Sequence, residues 1–172
     1  MRHETSVEIP SYARKEMAKT AAESLIEDYS TPAIPVIEIA ESNGVKVDFV
    51  DFGDEYNDKV AGICEFKEAR ILVNAFDGVG RQRFTIAHEL GHWILHRDIF
   101  LSNPERYPVL MRFQKPSEAD PLEQEANYFA ANLLVPEKHL KSVINAPISV
   151  LASVFHVSNA MMEIRVKDVK RK

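Results

Sequence analysis

The chain has 172 residues, 45% hydrophobic and 27% charged, with 21 Lys and Arg against 26 Asp and Glu for a net charge of −5. That is the size and make-up of one globular domain, which excludes a fibre, a low-complexity chain or a wholly disordered one. The acidic balance also argues against a chain built mainly to grip nucleic acid, a task that would need a local basic patch working against the overall field.

Residues 1–9 are expected to be disordered, and the N-terminal stretch has no apolar core of signal-peptide length. Pro10 to Tyr29 has helical spacing through Tyr12, Met17, Ala21, Leu25 and Ile26. The prolines of Ser30-Thr-Pro-Ala-Ile-Pro35 break it, because each disfavours helix in the residue before it. Val36 to Ser42 reads as a short helix stopped by Asn43-Gly44. Val45 to Phe52 alternates apolar and polar residues as a half-buried strand does, and Asp54 to Asp58 is a polar turn. Lys59 to Phe66 and Arg70 to Asn74 read as two further strands about a tight turn at Lys67-Glu-Ala69. The single cysteine, Cys64, lies in this apolar stretch and is expected to be a small buried residue. Having only one excludes an internal disulfide and a multi-cysteine zinc site.

Arg81 to His96 is strongly helical, with Phe84, Ala87, Leu90, Gly91, Ile94 and Leu95 on one broad face. Asp98 to Asp120 carries three prolines among polar residues and is expected to be a long irregular connection. Pro121 to Val135 is a second strong helix, ended by Pro136. Ile148 to Val169 holds two short helical segments with a break near Val157-Ser158. The order of helix, small sheet, then helices predicts an α+β domain rather than an alternating βαβ fold. No apolar run is long enough to span a membrane, so a soluble, cytoplasmic protein is expected.

Chemistry concentrates in His88-Glu89-Leu90-Gly91-His92, in the middle of the third predicted helix. Helical residues four apart share a face, so two imidazoles there can grip one cation. Glu89, one position beyond the first histidine, lies beside the metal rather than on it. A carboxylate there can take a proton from a water under attack-ready polarisation, the pattern of zinc hydrolases. A catalytic zinc site wants a third protein ligand and an open position. Glu123 and Asn127 share a face of the next helix. Glu123 could complete the coordination while Asn127 hydrogen-bonds a ligand's outer nitrogen or the backbone. Acidic residues near a helix N-terminus also simply favour the helix dipole, and spacing alone does not separate the two readings. Glu125 points away from Glu123 on a helix, so both cannot easily ligate one ion.

The run Arg83-Phe-Thr-Ile-Ala-His-Glu-Leu-Gly-His-Trp-Ile-Leu-His96, followed by Glu123-Gln-Glu-Ala-Asn-Tyr-Phe-Ala-Ala-Asn-Leu-Leu-Val-Pro136, strongly resembles the ImmA/IrrE family of metallopeptidases. Ile71-Leu-Val-Asn74 and Leu151-Ala-Ser-Val-Phe-His-Val-Ser-Asn-Ala-Met161 are also similar to it, so the resemblance covers residues 33–165. It implies a zincin-like catalytic domain, placed at residues 1–140, with a small mixed or antiparallel sheet. Residues 141–172 would then be a helix-turn-helix-like extension. It implies one zinc ion held by His88, His92 and Glu123, with Glu89 as catalytic acid and base. It further implies a limited cut in a regulatory protein, such as a helix-turn-helix repressor or an antitoxin of a mobile element. The rival reading is a non-proteolytic module that keeps the metal site but acts by binding a repressor, antitoxin or DNA. By analogy with zincins, Arg70, Ile71, Leu72, Val73 and Asn74 are expected to form an edge strand that receives an extended peptide.

Other residues carry weaker expectations. His96 has rotated roughly 80° from His88 and is expected to support a ligand from behind or to serve the helix C-terminus. Tyr107 and His139 are candidates to stabilise an oxyanion. Trp93 is expected to anchor the core. Arg81 and Arg83 are ordinary solvated cations or partners for carboxylates. His3 and His156 have no partner pattern. The C-terminal Lys167-Asp-Val-Lys-Arg-Lys172 is basic, but Met161, Met162, Ile164 and Val166 look committed to packing. The extension is therefore expected to pack on the domain or recognise protein substrate rather than DNA.

Overall fold

The computed structural model describes residues 7–103, 110–113 and 120–171. Its helices are α1 (Lys15–Ser24), α2 (Val36–Ser42), α3 (Val79–Ser102), α4 (Pro121–Leu134), α5 (Glu137–Leu140), α6 (Ile148–Phe155) and α7 (Asn159–Lys170). The strands are β1 (Lys46–Val50), β2 (Val60–Glu65), β3 (Arg70–Asn74) and β4 (Leu110–Phe113), paired in the order β1-β3-β2-β4. The fold is mixed α+β. No helix among the described residues is long and apolar enough to cross a membrane.

β3 runs parallel to β1, with Val47 opposite Ile71, and antiparallel to β2, with Ile63 opposite Leu72. β4 pairs antiparallel to the other side of β2, with Ile63 opposite Met111. The expected edge strand, Arg70, Ile71, Leu72, Val73 and Asn74, is therefore internal, which corrects the sequence reading. Both rows of its backbone groups are used in ladders, so it has none to offer an added strand. Its side chains serve the fold too. Ile71 and Val73 are core residues, and Arg70 pairs with its cross-strand neighbour Glu65. Asn74, fully buried, donates to the carbonyls of Asn57 (2.8 Å) and Val60 (2.9 Å) and accepts from the Phe76 amide (2.9 Å). Among the described residues the sheet ends at β1 and β4.

α3 is the hub of the fold, in contact with β2, β3, α1, α2 and α4. Two glycines allow it to lie this close to its neighbours. A Cβ on Gly91 would stand 3.0 Å from Phe129 Cδ1 and 3.3 Å from Ala126 Cα, so the hydrogen at that position sets the approach of α3 to α4. A Cβ on Gly62 of β2 would overlap the Thr85 side chain and lie 3.7 Å from Glu89 Cγ. α3 also outruns its sequence signal at both ends. The segment expected to be irregular from Asp98 continues as helix to Ser102, because Ile99 and Phe100 prolong the buried face. Further along the same segment, β4 forms by pairing with β2, a long-range partner that local periodicity cannot reveal.

α1 is shorter than expected, beginning at Lys15. The amide of the preceding Arg14 bonds Glu125 Oε1 at 2.8 Å, so it is held by α4. At the other end of the chain, α6 closes with His156 in the left-handed conformation (φ 54°), which brings the Val157 amide onto the Ala152 carbonyl. Ser158 then caps α7 through the Met161 amide. Met162, Arg165, Val166 and Val169 form the buried stripe of α7. Arg165 ties it to α4, its Nε donating to the Val135 carbonyl (3.0 Å) and its Nη2 to Asn132 Oδ1 (2.8 Å). Ile164, expected to pack, is 65% exposed, because two positions beyond Met162 it falls off the stripe.

Candidate metal centre

α3 and α4 lie side by side and bring three donor groups together. One ligand atom from each of His88, His92 and Glu123 lies within 4.8 Å of the other two. His88 Nε2 is 3.1 Å from His92 Nε2, and Glu123 Oε2 and Oε1 are 3.2 and 3.0 Å from those two nitrogens. Both imidazoles are completely buried, whereas the Glu123 side chain keeps 17% exposure. The cluster therefore opens towards solvent on the α4 side.

The far side of each ring determines which nitrogen faces the cluster, with tautomers assigned here from the hydrogen-bond partners. His88 Nδ1 lies 2.9 Å from Asn127 Oδ1, an acceptor, so it carries the proton and leaves Nε2 with a lone pair. His92 Nδ1 lies 2.9 Å from His96 Nδ1, and His96 Nε2 lies 2.8 Å from Glu125 Oε2. Burial and then the neighbouring His92 lower the His96 pKa to about 4, so its ring is neutral at neutral pH, with one proton and one lone pair. The proton goes to the carboxylate, and the lone pair accepts from His92 Nδ1. His92 Nε2 is then also a lone pair.

Two lone pairs and a carboxylate facing one another are the donor set of a divalent cation, and two histidines with one glutamate suit zinc chemistry. Without a cation, protons on the imidazoles must take its place. Burial raises the Glu123 pKa, but hydrogen bonds from His88 and His92 outweigh it and hold the carboxyl well below the ordinary range. Metal binding at such a site displaces protons.

Glu89 is buried on α3, with its side chain against β2 at Gly62. Cys64 is buried on the same strand. Burial, and next the nearby Glu89 charge, push its thiol far above the usual range, so it is an inert packing residue.

The remaining candidates separate clearly. Asn127 and His96 stand behind the two histidines, as described. His139 lies on α5, and no hydrogen bond among the described residues joins it to the cluster. Tyr107 and His3 lie outside the described residues. Trp93 anchors the core, stacked on Phe66 and donating to the Asn43 carbonyl at 3.0 Å, with the Arg97 guanidinium 4.3 Å from its ring centre. Arg81 pairs with Asp77, whereas Arg83 donates to the carbonyls of His156 (3.0 Å) and Ile34 (2.7 Å). Arg83 thus stitches backbone segments together rather than meeting carboxylates.

Two residues behind the site escaped the sequence reading. Glu125 is fully buried and accepts from Arg14 Nε (2.8 Å), Arg14 Nη2 (2.9 Å) and the Arg14 amide (2.8 Å). Burial raises its pKa, but Arg14 and His96 more than reverse this and bring it to about 2. Its place two residues after Glu123 and the third histidine on α3 were the available signals. Arg14, 111 residues away in sequence, left none.

Comparison with known proteins agrees with this geometry. No curated protein matches the chain. A solved structure described as a Mycobacterium tuberculosis transcriptional regulator shares the fold, with 18% identity and a TM-score of 0.57 over 86% of this chain and 45% of that one. The chain therefore spans less than half the length of that regulator. The family model for the IrrE N-terminal-like domain, Peptidase M78, matches residues 40–167, from the end of α2 into α7 and across every residue of the donor cluster. With most of its length matched, the chain belongs to this family, the ImmA/IrrE group of metallopeptidase-like domains.

Proposed function

We propose that the protein is a zinc-dependent endopeptidase that makes a limited cut in a regulatory protein, a helix-turn-helix repressor or an antitoxin. The observation that carries this reading is the convergence of His88 Nε2, His92 Nε2 and a Glu123 oxygen within 4.8 Å, with Glu89 one residue beyond the first ligand. A zinc ion bound by these three would acidify water and polarise the carbonyl under attack. Glu89 takes the proton of the attacking water and passes it to the departing amine, so that the peptide C–N bond breaks without a free amide anion. Asn127 and His96 keep the two ligand rings oriented. The membership of the family and the likeness to a chain described as a transcriptional regulator support a regulatory protein as substrate.

An extended substrate would add to β4 rather than β3. Among the described residues β4 ends the sheet on the β2 side, and Gly62 of β2, which lies against Glu89, is in register with Arg112 of β4. The edge therefore runs one strand spacing, about 4.8 Å, beyond the strand that packs against the Glu89 side chain.

The test is incubation of the zinc-loaded protein with the repressor- or antitoxin-like product of an adjacent gene, read by mass spectrometry of fragments. Cleavage should vanish in Glu89→Gln, which keeps the ligands but cannot accept the proton. A Glu89→Gln protein that binds zinc and retains full activity in cells would replace this reading by the non-proteolytic binding module.

A further inference from the structure

We propose that Arg14, Glu125 and His96 form a relay that holds the His92 ring in its metal-binding tautomer, so that the N-terminal segment completes the metal site. The inference rests on the metal reading above, and extends it to residues that touch neither metal nor substrate.

The relay is a chain of donors and acceptors with one consistent assignment. Arg14 supplies three donors to Glu125, two on Oε1 (amide and Nε, both 2.8 Å) and one on Oε2 (Nη2, 2.9 Å). The carboxylate is fully buried, so water does not compete for it. Oε2 accepts a further hydrogen bond from His96 Nε2 at 2.8 Å, which places the His96 proton there. His96 Nδ1 is left as an acceptor, 2.9 Å from His92 Nδ1. One His92 proton must then occupy Nδ1, and Nε2, 3.0 Å from Glu123 Oε1, is the nitrogen that gives up its proton when a cation enters the cluster. Packing alone would not make this choice, because the two neutral tautomers of a histidine have the same shape. The choice originates at Arg14, whose side chain is 35% exposed, just ahead of α1. The surface of the N-terminal segment is thereby connected to a wholly buried ligand.

Glu125→Gln tests the relay without changing its shape. Each oxygen accepts two donors, but the Arg14 backbone amide at Oε1 is fixed, whereas Nη2 at Oε2 belongs to a side chain 35% exposed that can turn to water, so the glutamine oxygen takes the Oε1 position and its amide NH2 faces His96 Nε2. The amide donates where the carboxylate accepted. His96 then carries its proton on Nδ1, and His92 is forced to carry its own on Nε2, in the metal's place. Zinc affinity of the full chain should fall by about 10- to 100-fold, the usual cost of losing an outer partner of a ligand. Nitrogen-15 NMR of the metal-free protein at mildly alkaline pH should show the His92 proton moving from Nδ1 to Nε2. If Glu125→Gln fails to fold, His96→Asn and His96→Leu provide the comparison. Asparagine keeps an acceptor near the position of His96 Nδ1 and should retain more zinc affinity than leucine, which keeps none. The proposal is overturned if the neutral His92 ring of the wild type carries its proton on Nε2 and not on Nδ1, if Glu125→Gln leaves both tautomer and affinity unchanged, or if the two His96 variants bind zinc equally well. A wild-type protein that shows the Nδ1-protonated tautomer but takes up no zinc would refute the metal reading and leave the relay standing.

Discussion

Asn127 sits one helical turn beyond Glu123 on α4, and its Oδ1 lies 2.9 Å from His88 Nδ1. One face of one helix thus presents a carboxylate to the His88–His92–Glu123 cluster and a hydrogen-bond acceptor to the back of the His88 ring. Asn127→Leu should lower zinc affinity by about 10-fold, because the His88 ring loses its orienting partner. Asn127→Asp, which keeps the acceptor, should bind zinc more tightly than Asn127→Leu. A competition titration against a chromophoric chelator checks both.

Gly91→Ala should destabilise the protein by about 1–3 kcal/mol, since the new methyl group meets Phe129 and the α4 backbone at close range. It should also weaken zinc binding, because α4 must move away and carries Glu123 with it. Denaturant unfolding of the metal-free protein measures the first effect, and zinc titration the second.

Cys64 should resist alkylation by iodoacetamide in the native protein and react on unfolding. Complete burial blocks access, and burial followed by the Glu89 charge keeps the thiol protonated. Mass spectrometry at increasing denaturant should show labelling that tracks the unfolding curve. Fast labelling under native conditions would contradict the placement of this strand.

Arg165→Met should cost about 2–3 kcal/mol, because the charged guanidinium makes two buried hydrogen bonds to α4 while methionine replaces only its packing. The loss should appear as a lower unfolding midpoint and as faster amide exchange across α7. Zinc affinity should change little, since Asn132 and Val135 lie at the C-terminal end of α4 and Glu123 lies in its first turn.

Local pattern was enough for α3. The helical period around Ala87 and Leu90, with histidines four residues apart, placed both imidazoles on one face before any fold was known. Asn43-Gly44 and Pro136 likewise marked the ends of their elements, since backbone geometry at such residues is a local property. The spacing of Glu123 and Asn127 put them on a common face, but left open whether the glutamate served a cation or the helix dipole. Only the close approach of α4 at Gly91 brings that carboxylate to the histidines. Strand order was equally out of reach: an alternating apolar pattern reports a buried face, not the neighbour on either side, so Arg70–Asn74 had the signature of a strand without the mark of an internal one. The Arg14–Glu125 clamp shows the same limit most sharply. Its partners stand 111 residues apart, and a hydrogen bond between such positions has no sequence period, because it depends on how whole helices pack.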